Sequence, residues 1–155
     1  MSIQNILVVC IGNICRSPMA EYFLKQQYPQ LKIESAGISG LTGHTADEKA
    51  SLCMLRFGID MSSHVAKKLN TELIKKADLV LVMSQNQQKH IEETWPFAKG
   101  KTFRLGHWQG KNVADPISVI KPSLTIPVNL FRTVLLIGKT IFKFFNIFTF
   151  LIFKL

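Results

Sequence analysis

Short apolar runs alternate with amphipathic stretches along most of the chain. The runs at residues 5–9 and 78–83 are typical of buried strands, and the alternating residues 31–35 are typical of a half-buried one. A short fourth strand is predicted at 101–105. Helical patterns cover 17–28, 47–57, 70–76 and 85–94. Strands that alternate with helices predict a single α/β domain, a doubly wound four-stranded parallel sheet with helices on both faces.

The boundaries of two helices carry capping signals. Ser17 is predicted as the N-cap of the first helix, with Pro18 at the first helical position and Glu21 in the first turn. Gly58 is expected to close the second helix.

The chemistry is concentrated between the first strand and the first helix. This loop begins at Cys10, at the carboxyl end of a strand, where active sites of parallel sheets lie. Backbone N–H groups of such a loop and of the following helical turn converge on an anion. Gly12 lets the backbone approach that anion, and Arg16 offers a planar fork that matches two phosphate oxygens. Because the same positive environment stabilises a thiolate, Cys10 is predicted to be a nucleophile at the floor of an anion cradle.

Residues 9–21 resemble the signature of low molecular weight protein tyrosine phosphatases, V-C-x-G-N-x-C-R-S-P-x-A-E, at every fixed position. The resemblance continues to about residue 116, through SAG at 35–37, GHTADEKA at 43–50, HVAKKL at 64–69 and DP at 115–116. GHW at 106–108 is similar to the bacterial branch that serves capsule and exopolysaccharide systems. The resemblance implies a four-stranded parallel sheet, no metal or other cofactor, and a covalent cysteinyl-phosphate intermediate.

The resemblance also implies a role for each residue of the site. Cys10 would be the nucleophile, Arg16 the clamp on the phosphate and transition state, and Asp115 the acid that protonates the leaving oxygen and later activates water. Ser17 would donate a hydrogen bond to the thiolate, and Asn13 would hold the loop in an unusual backbone shape. The phosphate-binding loop would consist of Ile11, Gly12, Asn13, Ile14, Cys15, Arg16 and Ser17.

Three further residues could have either a functional or a purely structural role, and a fourth is interpreted as structural. Thr45 and His64 resemble the residues that tie Asn13 in place, although Thr45 could be only a helix cap and His64 only a surface residue. Cys15 could form a reversible disulfide with Cys10 or could simply pack behind the loop. Cys53 lies among apolar neighbours in a predicted helix and is interpreted as a core residue.

Composition narrows the class of protein. A chain of 155 residues accommodates one full domain. Three cysteines argue against a disulfide scaffold and favour a reducing cytoplasm, and the first residues lack a secretory signal pattern. Of the net charge of +9, residues 117–155 supply more than half, with five basic side chains and no acidic one. The basic residues are not interspersed with aromatic residues that could stack on bases, and no nucleic-acid-binding motif is present. Nucleic acid is therefore not an expected partner.

Residues 117–155 depart from the family pattern and form an atypical apolar, basic segment after the phosphatase core at 1–116. Ile117 stands where the family has an aromatic residue, and seven of the eleven phenylalanines lie beyond residue 130. A shifted reading frame in an AT-rich gene would give such a composition. The segment is predicted to be helical, and two placements remain open: packing on the sheet, or lying in a membrane interface as an amphipathic helix. Charged residues interrupt every apolar run, so a membrane-spanning helix is not expected.

The leading functional hypothesis is hydrolysis of phosphotyrosine in proteins, with an autophosphorylating tyrosine kinase of polysaccharide export as the substrate. A thiol-linked arsenate reductase would share the loop and the fold, but it needs two further cysteines and only Cys53 follows Cys15. A third hypothesis is a phosphate-binding protein whose catalysis is impaired by the altered tail.

Overall fold

The computed structural model describes residues 3–107, 110 and 112–113. Its four strands form one parallel sheet in the order β2-β1-β3-β4. They are β1 Asn5–Cys10, β2 Lys32–Gly37, β3 Leu79–Val82 and β4 Thr102–Arg104. The helices are α1 Arg16–Gln27, α2 Glu48–Leu55, α3 Thr71–Lys76 and α4 Gln85–Thr94, followed by a 3-10 turn at Pro96–Ala98. The predicted α/β class and the four predicted strands are confirmed.

The strand order places the end of β1 at a switch point. The chain leaves β1 for β2 on one side and later returns to pair β3 with β1 on the other side. Cys10 is the last residue of β1 and lies opposite Gly37 of β2. A crevice opens where two neighbouring crossovers diverge, and parallel sheets bind their ligands there. The topology therefore puts Cys10 where a ligand site is expected.

Alternation along β1 decides which helix each side chain meets. Ile6, Val8 and Cys10 share a buried cluster with Ala20 and Leu24 of α1. Leu7 and Val9 point to the opposite face, in a cluster that includes residues of α3 and α4. Because strand side chains alternate between faces, the Cys10 thiol is directed to the α1 side.

The predicted start of α1 is wrong. The helix begins at Arg16, with Cys15 as the N-cap residue and no side-chain hydrogen bond that caps it. Ser17 is fully buried inside the helix, and its hydroxyl contacts Cys10 Sγ instead of a backbone N–H. Glu21 is the sixth helical residue and is buried, so it does not lie in the first turn. A serine whose oxygen is held by another partner cannot serve as a cap.

The other helices start and end close to the predictions. Asp47 caps α2 through a bond from the Ala50 N–H, and Asn70 and Ser84 cap α3 and α4 in the same way. The α2 helix is shorter than predicted, ending at Leu55, and Gly58 follows it with a φ of 71°. A residue without a Cβ adopts this left-handed conformation at little cost, which explains the glycine.

The predictions for residues 117–155, and the division of the chain at residue 116, lie outside the described residues. Within the part of the chain that the structure describes, no helix is long and apolar enough to cross a bilayer.

Candidate active site

The Cys10 thiol lies at the floor of the loop that joins β1 to α1. Its Sγ atom is 2.9 Å from Ser17 Oγ and accepts a hydrogen bond from the Asn13 backbone N–H at 3.2 Å. Both contacts come from residues of the predicted anion loop, and Cys10 is 3% exposed. The sulfur is thus surrounded by donors suited to a thiolate.

The carbonyl groups of this loop are bonded to segments outside it. Cys10 O accepts from the Ile38 N–H at 2.9 Å, and Gly12 O accepts from the Leu41 N–H at 2.9 Å. Two more carbonyls behave in the same way: Ile11 O accepts from the N–H groups of Ser39 and Gly40, and Ile14 O accepts from the N–H group of Asp47. Among the described residues, the N–H groups of Ile11, Gly12 and Ile14 donate no hydrogen bond. Carbonyls held outward leave amide N–H groups for an anion.

Asn13 holds the loop in a left-handed backbone conformation. It has a φ of 60°, the only positive value among the described non-glycine residues, and it is fully buried. Its Oδ1 accepts from the Lys67 N–H at 2.9 Å, and its backbone carbonyl accepts from His64 Nε2–H at 2.7 Å. A strained conformation persists only where its surroundings fix it. The contacts expected of Asn13 and His64 are therefore present, and His64 is buried rather than a surface residue.

The contact expected between Thr45 and Asn13 is absent. Thr45 is exposed in the loop before α2 and has no hydrogen bond to Asn13 among the described residues. Ser35 takes that place, because its Oγ accepts a hydrogen bond from Asn13 Nδ2 at 2.7 Å. The sequence contained a signal for this: Ser35 occupies the core-facing side of an alternating strand, where a polar residue requires a partner.

Gly37 leaves the space that the loop backbone occupies. A Cβ built on this residue would lie 2.5 Å from Ile11 O and 2.9 Å from Asn13 N. Such distances are well inside van der Waals contact, and both atoms already make hydrogen bonds that hold them in place. Any larger residue would therefore displace the loop itself. Gly12, by contrast, has only ordinary contact distances around its virtual Cβ, the nearest being Leu41 Cδ1 at 3.5 Å.

Arg16 connects the loop to the segment that leads to Asp115. It is half-buried at the first position of α1, and Nη1 donates to the Val113 carbonyl at 3.3 Å. Val113 is itself buried and donates its N–H to Met83 O at 2.7 Å. Asp115 lies outside the described residues.

Comparison with known proteins identifies the family. The model of the low molecular weight phosphotyrosine protein phosphatase family matches residues 5–144. The chain belongs to this family.

Relatives and solved structures agree with the family model. The low molecular weight protein-tyrosine-phosphatase Ptp of Acinetobacter johnsonii is 80% identical over 116 residues, which is 75% of this chain and 82% of that protein. A probable low molecular weight protein-tyrosine-phosphatase, EpsP of Ralstonia nicotianae, is 47% identical over 114 residues, covering 74% and 79% of the two chains. The crystal structure of Erwinia amylovora tyrosine phosphatase amsI superimposes with a TM-score of 0.82 at 34% identity, covering 94% of this chain and 93% of that one.

The three cysteines of this phosphatase are free thiols, and all are buried. Cys15 and Cys53 belong to one apolar cluster behind the loop, together with Met19, Met54 and Met61. Burial raises the pKa of the Cys53 thiol above its usual range, and the nearby Arg56 offsets part of that shift. Cys53 is a core residue, as the sequence predicts, and Cys15 packs in the same cluster. The Cys10–Cys15 disulfide stays a prediction.

Proposed function

We propose that this phosphatase hydrolyses phosphotyrosine in proteins through a cysteinyl-phosphate intermediate. The observation that carries the proposal is the Cys10 thiol, held by Ser17 and the Asn13 N–H beneath a loop whose carbonyls are bonded outward. The thiolate attacks phosphorus, so that a P–S bond forms while the P–O bond to tyrosine breaks. Water then attacks the same phosphorus, which releases inorganic phosphate and restores the thiolate.

Arg16 and Asp115 have complementary roles in this proposal. Charge spreads over the equatorial phosphoryl oxygens in the transition state, and the planar Arg16 fork bonds two of them while the loop N–H groups bond the others. Asp115 gives a proton to the tyrosine oxygen as it leaves and takes one from water in the second step. The hydrogen bond from Arg16 to the Val113 carbonyl supports the role of Asp115, because Val113 lies two residues before Asp115 in the chain.

An aromatic substrate suits the mouth of the loop. Ile11 is 45% exposed and Leu41 is 43% exposed, and Leu41 lies beside Gly12. Apolar side chains at this position would pack against the ring of a phosphotyrosine, whereas a small inorganic oxyanion would leave them in water. We therefore favour a phosphotyrosine protein over arsenate as the substrate, and the family to which the chain belongs consists of phosphatases.

The physiological substrate is proposed to be an autophosphorylating tyrosine kinase of polysaccharide export, which the phosphatase dephosphorylates in the cytoplasm. The residues at 106–108 support this through their resemblance to the exopolysaccharide-associated branch. The likeness to EpsP and to amsI supports it further.

Hydrolysis of p-nitrophenyl phosphate and of a phosphotyrosine peptide tests the function. The full-length protein is expected to release phosphate from both without added metal, and vanadate should inhibit both competitively because it occupies the anion loop. A matched phosphoserine peptide is the control, and its turnover should be far slower because it places no ring at the loop mouth. A protein that binds vanadate but hydrolyses neither tyrosine substrate would be the impaired phosphate-binding protein instead.

Replacement of Asp115 tests the acid. Asp115→Asn should slow phenyl phosphate by about 10²–10⁴, the range of general acid catalysis, and should slow p-nitrophenyl phosphate much less. The reason is that p-nitrophenolate leaves without a proton. Measuring kcat for both esters in both proteins gives the ratio. Equal losses on the two esters would remove Asp115 from this role, and a small loss on phenyl phosphate would mean that the segment after Asp115 holds the carboxyl away from the leaving oxygen.

A further inference from the structure

A chain of buried hydrogen bonds runs from the Cys10 thiol to a carboxylate on α1. Cys10 Sγ contacts Ser17 Oγ at 2.9 Å, and Ser17 Oγ accepts from Asn13 Nδ2 at 2.9 Å. The same Nδ2 donates its second hydrogen to Ser35 Oγ at 2.7 Å, and the Ser35 hydroxyl donates to Glu21 Oε2. All five residues are less than 9% exposed. Glu21 is the terminal member of this chain.

The direction of every hydrogen in the chain follows from its two ends. A carboxylate has no hydrogen, so Ser35 must donate to Glu21 and can only accept from Asn13. The Lys67 N–H, which Asn13 Oδ1 accepts, favours the same orientation of the Asn13 amide. Both Nδ2 hydrogens are then committed to serine oxygens. Ser17 therefore accepts from Asn13, and its own hydrogen is left to point at the sulfur.

We propose that Glu21 is a positioning residue that sets this direction together with the Lys67 N–H and so keeps the Ser17 hydroxyl as a donor to the Cys10 thiolate. Glu21 touches neither the sulfur nor a substrate. It acts through Ser35, Asn13 and Ser17 in series. A hydrogen bond that reaches a charged sulfur is stronger than one between neutral groups, which is why the direction matters. The proposal rests on the proposed function of Cys10 as nucleophile.

The placement of Glu21 also favours a role beyond packing. A buried carboxylate is costly unless it is paired and hydrogen-bonded, and Glu21 satisfies both conditions. Oε2 accepts from Ser35, while Oε1 is 2.5 Å from Lys25 Nζ on the next helical turn. The two carboxylate oxygens therefore serve different partners, and Lys25 holds Oε1 without touching the chain of hydrogen bonds.

The Glu21–Lys25 ion pair supplies a test, because the amide of a glutamine at position 21 has one oxygen that accepts hydrogen bonds and one nitrogen that only donates them. In Glu21→Gln the amide oxygen should turn to the Lys25 ammonium, and the amide nitrogen should then point its hydrogens at Ser35. Ser35 would lose its acceptor, and the direction of the chain would then be held by the Lys67 N–H alone. Adding Lys25→Met removes the attraction that turns the amide, so the glutamine oxygen can return to Ser35.

The measurement is alkylation of Cys10 by iodoacetate at pH 6, located by peptide mass spectrometry, with the melting temperature of each variant recorded. Glu21→Gln is expected to slow alkylation about tenfold, in line with the loss of one hydrogen bond to a charged group. The Glu21→Gln/Lys25→Met double variant is expected to return to within about twofold of Lys25→Met. Three basic residues near Cys10 are unchanged in all three proteins: Arg16 at the start of α1, Lys67, whose backbone N–H bonds Asn13 Oδ1, and His64, whose ring bonds the Asn13 carbonyl.

Two controls keep the result specific. Glu34→Gln alters the carboxylate next to Ser35, which faces the other side of β2 and pairs with Lys67 at 3.7 Å, and it should leave alkylation unchanged. Ser35→Ala, which deletes the middle of the chain, should reproduce Glu21→Gln and should not respond to Lys25→Met. Wild-type alkylation in a folded Glu21→Gln, or the absence of recovery in the double variant, would overturn the proposal. Alkylation requires no turnover, so a failure of the proposed phosphatase activity would be visible separately with p-nitrophenyl phosphate.

Discussion

Cys10→Ser is expected to abolish turnover while the loop continues to bind phosphate. The hydroxyl of serine ionises far less readily than a thiol, and the donors of the loop stabilise an anion without supplying a base to create one. The loop carbonyls are bonded to neighbouring segments, so the cradle itself does not depend on the sulfur. A loss of about four orders of magnitude in kcat, which is about 5 kcal/mol of barrier, is the minimum expected. Steady-state kinetics on p-nitrophenyl phosphate and calorimetric titration with inorganic phosphate measure the two properties.

Cys53→Ala is the matched control, because it removes another buried thiol that lies in α2 behind the loop. It should lower stability while leaving kcat within about twofold of wild type, since the core can lose one small side chain without moving Cys10. Turnover near the wild-type value in Cys10→Ser would exclude a cysteinyl-phosphate intermediate.

Arg16→Lys is expected to lower kcat/KM by about 10²–10³, the range seen when one donor to a developing oxyanion is removed. An ammonium retains the charge, but it cannot bond two phosphoryl oxygens in one plane. It also loses the geometry that lets Nη1 reach the Val113 carbonyl, which ties the loop to the segment before Asp115. The variant should therefore lose transition-state stabilisation in kcat more than it loses affinity for phosphate.

Arg56→Lys makes the same chemical change at the exposed end of α2 and should leave kinetics unchanged. If Arg16→Lys lost less than tenfold, or about 1.4 kcal/mol of barrier, Arg16 would not be the clamp on the transition state.

The part of the site that is local in sequence could be predicted without a structure. A strand, a loop and a helix are fixed by apolar periodicity and by capping residues, so the position of Cys10 at a strand end followed from the sequence alone. Among the described residues, the side chains of Asp47, Asn70 and Ser84 bond only the helix N–H group that each of them caps. Ser17 does not follow this rule, since its oxygen contacts Cys10 Sγ and accepts a hydrogen bond from Asn13 Nδ2.

The part of the site that depends on strand register could not be predicted. Ser35 lies 22 residues from Asn13, and their contact exists because β2 pairs with β1 in parallel with Cys10 opposite Gly37. The resemblance to the family points to Thr45, which is exposed, whereas the polar group that reaches Asn13 is the buried Ser35. Glu21 also carried an overlooked signal, since it lies one helical turn after Ser17 on the face of α1 that the core covers.

The outward-bonded carbonyls of the loop have a consequence for protein engineering. Residues 10–17 owe their shape to acceptor contacts with the segments at 38–41, 47 and 64, and to the missing side chain at Gly37. A synthetic peptide with this stretch, or the same stretch grafted between a strand and a helix of an unrelated scaffold, would carry the nucleophile and the arginine yet bind no phosphate. A successful graft would have to transplant these supporting segments as well, which makes the smallest portable unit the β1-α1-β2 crossover together with residues 38–68.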